Sequence, residues 1–309
     1  MQKAYVNALY EIMGSDKRVC SLLSDSGTDY DVLMAREYPE QCFNLGIAEQ
    51  NKVAVASGMA KMGKIPFVYT TDAFLAYRAY EFIRNDVCFQ RRNVKIVGMG
   101  MGLSWSTLGA SHHTTEAIAA LRALPNLILL CASTPIELKK QVRFAYEHDG
   151  PVYLRIGMSA EEELFDEKYS FTLGKPVQLL NCGEDFTIFV TGTIAANVYH
   201  ASEKLCEDGY CLRLYNMPTM NPIDSKAVLD AVGDSKTVVS VEEHSLNGGL
   251  GGAISEILAE SGASVSLKRI GLNNCFAKGY GMIEEVRKQN GFDINGIYQQ
   301  IRNHINGGK

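Results

Sequence analysis

Short apolar runs alternate with stretches of helical spacing along almost the whole of this 309-residue chain. Candidate strands fall at Val19–Leu23, Ile65–Thr70, Val94–Val97, Leu127–Cys131 and Val152–Ile156. Between them, Ala48–Lys61, Tyr77–Gln90, Thr114–Ala123 and Pro135–His148 repeat their apolar residues at helical intervals. A buried strand followed by a helix of ten or more residues is the signature of βαβ units around a parallel sheet. The pattern breaks at Met158–Lys175, where residues 160–168 are rich in Glu and Asp. It then resumes, with strands expected at Thr187–Val190, Cys211–Leu214, Thr237–Val241 and Ser266–Ile270. Helices are expected at Ala195–Glu207, Lys226–Val232, Leu250–Ser261 and Gly281–Lys288, with a last one near the end. The expectation is an α/β protein of two consecutive parallel-sheet domains, residues 1–160 and 181–309, joined by a linker at 161–180.

Composition removes several function classes. The formal charge of −5 comes without a basic block, so nucleic acid is not an expected partner. No run of 18 apolar residues and no signal-peptide pattern occurs, so neither a membrane span nor secretion is expected. The eight cysteines form no CxxC pair, and in a long, core-rich chain they read as buried thiols of a reducing cytoplasm. His112 and His113 are adjacent, and no Cys or carboxylate at helical ligand spacing completes a metal site.

Three features carry chemistry. Glu49 stands where an apolar helix begins, in Gly46-Ile47-Ala48-Glu49-Gln50. A first-turn glutamate is favoured by the helix dipole alone, so by itself it is ambiguous between a stabilising charge and a proton-holding group. Phe74, Tyr77 and Tyr80 recur every three residues and share a helical face. Such a stripe is either core or a wall for a flat heteroaromatic ring. Gly109-Ala110-Ser111-His112-His113 precedes another helix, in the kind of loop where parallel sheets bind ligands.

Taken in order, Gly46-Ile47-Ala48-Glu49-Gln50, Phe74-Leu75-x-Tyr77-x-x-Tyr80, Ser111-His112 and Leu121-Arg122-x-x-Pro125-Asn126 resemble the pyrimidine-binding domain of transketolase. Val241-Glu242-Glu243-His244 before Gly248-Gly249-Leu250-Gly251 resembles the C-terminal domain of the same family. The resemblance implies thiamine diphosphate as cofactor, with Glu49 as the carboxyl partner of its pyrimidine and Phe74, Tyr77 and Tyr80 as the holding aromatics. It implies that His112 contacts sugar hydroxyls near the reacting carbon, with His113 beside it, and that Arg155 grips a sugar phosphate. Asp25 matches an acidic residue near the cofactor.

The family's Gly-Asp-Gly turn, which holds the diphosphate through Mg²⁺ or Ca²⁺, is not in this sequence. A diphosphate cannot be left unpaired. The resemblance therefore implies that a second, N-terminal transketolase chain supplies the metal site, giving the C-terminal half of a split enzyme working as an α2β2 heterotetramer. The implied reaction moves a two-carbon ketol unit from a ketose to an aldose. Leu108 stands where the family has a sugar-recognising aspartate, Asn7 where it has an arginine, and Met99-Gly100-Met101-Gly102 where it has a polar contact. The ordinary pentose phosphates are thus in question, and an anion other than phosphate is open. Alternatives are a 1-deoxyxylulose 5-phosphate synthase-like chain, the β subunit of a 2-oxo acid dehydrogenase, or a non-catalytic partner chain. His244, beside the glycine-rich loop, is either a satisfied loop histidine or a contact to another chain.

Overall fold

The computed structural model describes residues 1–24, 29–158 and 161–307. Asp25 lies outside the described residues. In chain order, the first half runs α1 (Gln2–Ser15), β1 (Val19–Leu23), α2 (Asp29–Glu37), β2 (Cys42–Asn44), α3 (Glu49–Lys61) and β3 (Ile65–Thr71). A compound helix follows, with α4 (Tyr80–Phe82) set between two wide π turns, Phe74–Arg78 and Ile83–Cys88. Then come β4 (Lys95–Met99), α5 (Ala117–Arg122), β5 (Ile128–Cys131), α6 (Pro135–Glu147) and β6 (Val152–Ile156). The second half contains β7 (Val177–Asn181), β8 (Phe186–Val190), α7 (Ala195–Glu207), β9 (Leu212–Asn216), β10 (Thr219–Asn221), α8 (Ser225–Val232), β11 (Thr237–Ser245), α9 (Leu250–Ser261), β12 (Ser266–Leu272), α10 (Ile283–Gln289) and α11 (Ile294–Gly307).

The strands form two sheets, ordered β10-β5-β6-β4-β3-β1-β2 and β12-β11-β8-β9-β7. Every residue of β1, β4, β5, β6 and β8 is buried. Helices cover both faces of such a sheet, which is why these strands are continuous apolar runs rather than alternating ones. Each sheet carries one antiparallel edge strand, β10 on β5 and β7 on β9. Neither edge was visible in the βα alternation, because each is a short, sparsely apolar segment that pairs with a non-neighbour.

β10 has a further consequence. It follows β9 of the second sheet in the chain but pairs with the first sheet. One apolar cluster accordingly runs from Val53, Leu75 and Ile118 through Met217 and Met220 to Leu250 and Ile254. α1 buries Tyr5, Leu9, Ile12 and Met13, and Tyr5 stacks on Tyr69 of β3.

The cysteine reading needs correction. Cys20, Cys88 and Cys131 are buried free thiols, but Cys182 and Cys206 form a disulfide, and Cys211 and Cys275 are exposed. The packing of α7 against β7 brings the bonded pair together across 24 residues, a spacing without a sequence signal. Among the described residues no helix is long and apolar enough to cross a membrane, and no group of His, Cys, Asp or Glu is arranged to hold a metal ion.

Candidate functional site

Glu49 is the first residue of α3 and only 1% exposed. The chain reaches it through Gly46, whose φ of 70° suits glycine, and Gly46 N–H donates to Asn44 Oδ1 at 2.9 Å. One Glu49 oxygen, Oε2, accepts from Arg78 Nη1 at 2.7 Å. The other has no hydrogen bond among the described residues. Arg78 was not among the expected site residues. It closes the first π turn, which Phe74 opens. A π turn holds more residues than an α turn, so Phe74 and Arg78 fall side by side, with Arg78 Cζ 4.6 Å from the Phe74 ring centroid.

The wide turns also change the aromatic stripe. Phe74 meets the His112 ring edge to face at 5.2 Å. Tyr77 is 43% exposed and donates to Glu116 Oε2 at 2.8 Å, while its oxygen accepts from the Glu116 N–H at 3.1 Å. Burial first, and then the Glu116 carboxylate, push the Tyr77 hydroxyl pKa well up. Tyr80 is different. It packs against the first core and donates to Ala120 O at 3.0 Å. The hydroxyl of Tyr80 is thus anchored on α5, while Phe74 stands beside Arg78 and His112.

The loop between β4 and α5 carries His112. Gly100 (φ 92°) and Gly102 (φ 59°) turn it tightly. A Cβ on Gly100 would stand 2.2 Å from the Trp105 ring, and one on Gly102 would stand 2.7 Å from Glu243 Oε2. The indole thus takes the space that a side chain at position 100 would use. Trp105 Nε1–H donates to Met99 O at 3.2 Å, and the ring lies 6.1 Å from His112. His112 Nδ1 is 3.0 Å from Ser111 Oγ. His113 turns inward instead. It is 3% exposed, and neither ring nitrogen has a hydrogen bond among the described residues. Burial lowers its pKa, so the buried ring is held neutral.

The expected grip of Arg155 on a substrate anion is corrected by its surroundings. Arg155 is 2% exposed; its Nε donates to Asp72 Oδ2 at 2.8 Å and its Nη2 to Thr114 O at 2.8 Å. Tyr153 holds the other Asp72 oxygen at 2.7 Å. The cavity beside Arg155 measures about 10 Å³, room for one water molecule at most. This guanidinium holds the site loop to the sheet. Asp72, at the carboxyl end of β3, is the partner that sequence reasoning missed.

β11 of the second sheet completes the support. Leu103 N–H reaches Glu243 Oε2 at 3.5 Å, and Glu243 Oε1 accepts from Arg287 at 2.7 Å. Ser245 N–H donates to Thr115 O at 2.6 Å. His244, 1% exposed, offers Nε2 to the Ala119 N–H at 3.4 Å and bonds Ser245 O through Nδ1 at 2.7 Å. Burial lowers its pKa to about 4. Glu242 accepts from the N–H groups of Leu250 (2.6 Å) and Gly251 (2.8 Å) at the start of α9. Glu243 and His244 therefore tie the two halves together while Glu242 caps α9, and His244 is satisfied within its own chain.

Residues 1–160 match the transketolase pyrimidine binding domain and residues 175–297 the transketolase C-terminal domain. A Methanocaldococcus jannaschii protein provisionally named a transketolase C-terminal section is 36% identical over 97% of this chain and 95% of its own length. One of the subunits of an apulose-4-phosphate transketolase from Actinobacillus succinogenes is 34% identical over 85% of this chain and 84% of its own. A solved split-gene transketolase, described as an inactive β4 tetramer, superposes with a TM-score of 0.89 at 33% identity, covering 97% of this chain and 96% of that one. The chain belongs to the transketolase family.

Proposed function

We propose that this chain is the pyrimidine-binding half of a two-chain, thiamine-diphosphate-dependent transketolase that moves a two-carbon ketol unit from a ketose to an aldose. The observation that carries the reading is Glu49, a buried carboxylate at a helix start that is linked through Arg78 to the Phe74–His112 pair. The residues fit the cofactor's ring. Among the described residues, Glu49 bonds through one oxygen and keeps the other free, and His113 keeps two buried nitrogens without partners. The two buried His113 nitrogens in that state point to an absent ligand or chain.

In this reading Glu49 holds a proton at the pyrimidine edge, while Phe74 and Tyr77 present ring faces and edges to its plane. Bound there, thiamine diphosphate supplies the carbon nucleophile that carries the two-carbon unit. His112, half-buried in the loop beside Phe74 and Trp105, offers a ring nitrogen to substrate hydroxyls. Arg155 fixes the loop that bears His112 and does not touch the donor. The diphosphate and its Mg²⁺ belong to an N-terminal partner chain, and the working assembly is α2β2. The solved relative described as an inactive β4 tetramer supports this: β chains assembled on their own lack activity in that protein.

The test is Glu49→Gln in the complex of this chain with its partner. Proton transfer by a positioned side chain is worth about 10²–10⁴-fold, so turnover of a ketose donor should fall by that factor with the assembly intact. Unchanged turnover sinks the reading. It leaves the chain as a structural partner.

A further inference from the structure

Arg78 occupies the two surfaces that the proposed function assigns to the pyrimidine ring. Its Nη1 donates to Glu49 Oε2 at 2.7 Å, and its Cζ stands 4.6 Å from the centre of the Phe74 ring. A guanidinium is flat, cationic and rich in N–H donors along its edge. An aminopyrimidine that has accepted a proton is the same kind of object: flat, cationic, with N–H groups on its rim. One contact is a charge-assisted hydrogen bond to the carboxylate. The other is a cation over an aromatic face.

We propose that Arg78 is a built-in stand-in for the aminopyrimidine ring, seated on Glu49 and Phe74 until the cofactor displaces it. The inference rests on the function proposed above and adds a competition to it. Glu49 is almost fully buried, and a buried carboxylate with no partner is strongly destabilising. Without the cofactor, Arg78 supplies that partner. The Arg78 side chain is 43% exposed, so it can swing into solvent without disturbing the core. The π turn Phe74–Arg78 makes the exchange possible, because it places the arginine beside the ring it covers.

A seated Arg78 reduces apparent cofactor affinity by the fraction of chains whose site is open. If the arginine is seated in about nine chains of ten, removing it tightens binding about tenfold. Trp105 is the only tryptophan of this chain and lies 6.1 Å from His112, so the part of the complex's fluorescence response that is lost in Trp105→Phe reports on this site. Mg²⁺–thiamine diphosphate is titrated into the full chain together with its partner, comparing wild type, Arg78→Met and Arg78→Gln. Circular dichroism checks that each variant is folded, and Glu49→Gln serves as the control that loses the ring's anchor. The expected result is a saturable Trp105 response whose midpoint falls about tenfold in Arg78→Met and by less in Arg78→Gln, which keeps a planar donor. KM for the cofactor should fall in step. Saturable wild-type binding that neither variant tightens overturns the stand-in alone and makes Arg78 an ordinary binding contact. No saturable response in any chain overturns the pyrimidine reading and the stand-in with it.

Discussion

His244 shows how much one residue's surroundings decide. Its ring is buried between α5 and the end of β11, with Nδ1–H donating to Ser245 O and Nε2 accepting from Ala119 N–H. Both nitrogens are used by the neutral form. The folded pKa of about 4 lies below the ordinary 6.5. The contribution of the neutral ring is therefore fully present above about 6.5 and is lost as pH falls through about 4. Across that window the unfolded chain takes up a proton that the folded chain refuses, a loss of about 3 kcal/mol. Urea unfolding of wild type and His244→Gln from pH 7.5 to 4 should show a steeper acid decline in wild type. Parallel curves would show that His244 does not control acid stability. At this scale, Glu49 was legible from its position at the start of α3, whereas His112 ends the short turn Gly109–Ser111 well ahead of α5. Arg155 was legible as a site-region residue, but its role was not. Whether a guanidinium faces substrate or Asp72 depends on a residue 83 positions away.

At the scale of elements, the start of α6 is written in the sequence. Thr134 caps it, accepting Glu137 N–H at 3.3 Å, Pro135 follows, and Glu137 returns to Ser133 N–H at 2.8 Å. That arrangement is a variant of the capping box in which Glu137 reaches past the cap residue to the N–H of Ser133. Glu137 does more, because it also accepts from Tyr169 at 2.7 Å and Asn216 at 2.9 Å. It thereby ties α6 to the segment between the sheets and to β9. Thr134→Ala should cost about 1 kcal/mol, and Glu137→Ala distinctly more, since it strips several buried donors of their acceptor. Equal losses by urea denaturation would mean that Glu137 serves only the cap. The compound helix at residues 74–88 is the opposite case. Its apolar pattern predicts an α-helix from Tyr77, whereas the chain makes two π turns. Local periodicity does not register a widened turn, and the first of the two sets Arg78 beside Phe74.

At the scale of the molecule, β10 makes the two sheets interdependent. A fragment ending after residue 176 keeps six strands of the first sheet but loses β10 from the edge of β5, together with Met217, Met220 and Leu250 from the shared core. It should aggregate or melt well below the full chain, because an uncovered edge and an exposed apolar face invite association. Size-exclusion chromatography and thermal melting of residues 1–176 against the full chain provide the measurement. A soluble, monomeric fragment with unchanged melting would show that the first sheet is self-sufficient.

The sequence by itself determined the α/β class, nearly all of the central strands and the placing of Glu49 at the start of α3. These follow from local hydrophobic period and from residue type at boundaries, which need no long-range information. Only the tertiary structure decided that Arg155 is locked to Asp72, that Tyr80 bonds to the backbone of Ala120, that Cys182 meets Cys206 and that Arg78 sits on Glu49. In each case the outcome depends on which partner lies across a fold contact, and a side chain's charge and size do not specify that partner.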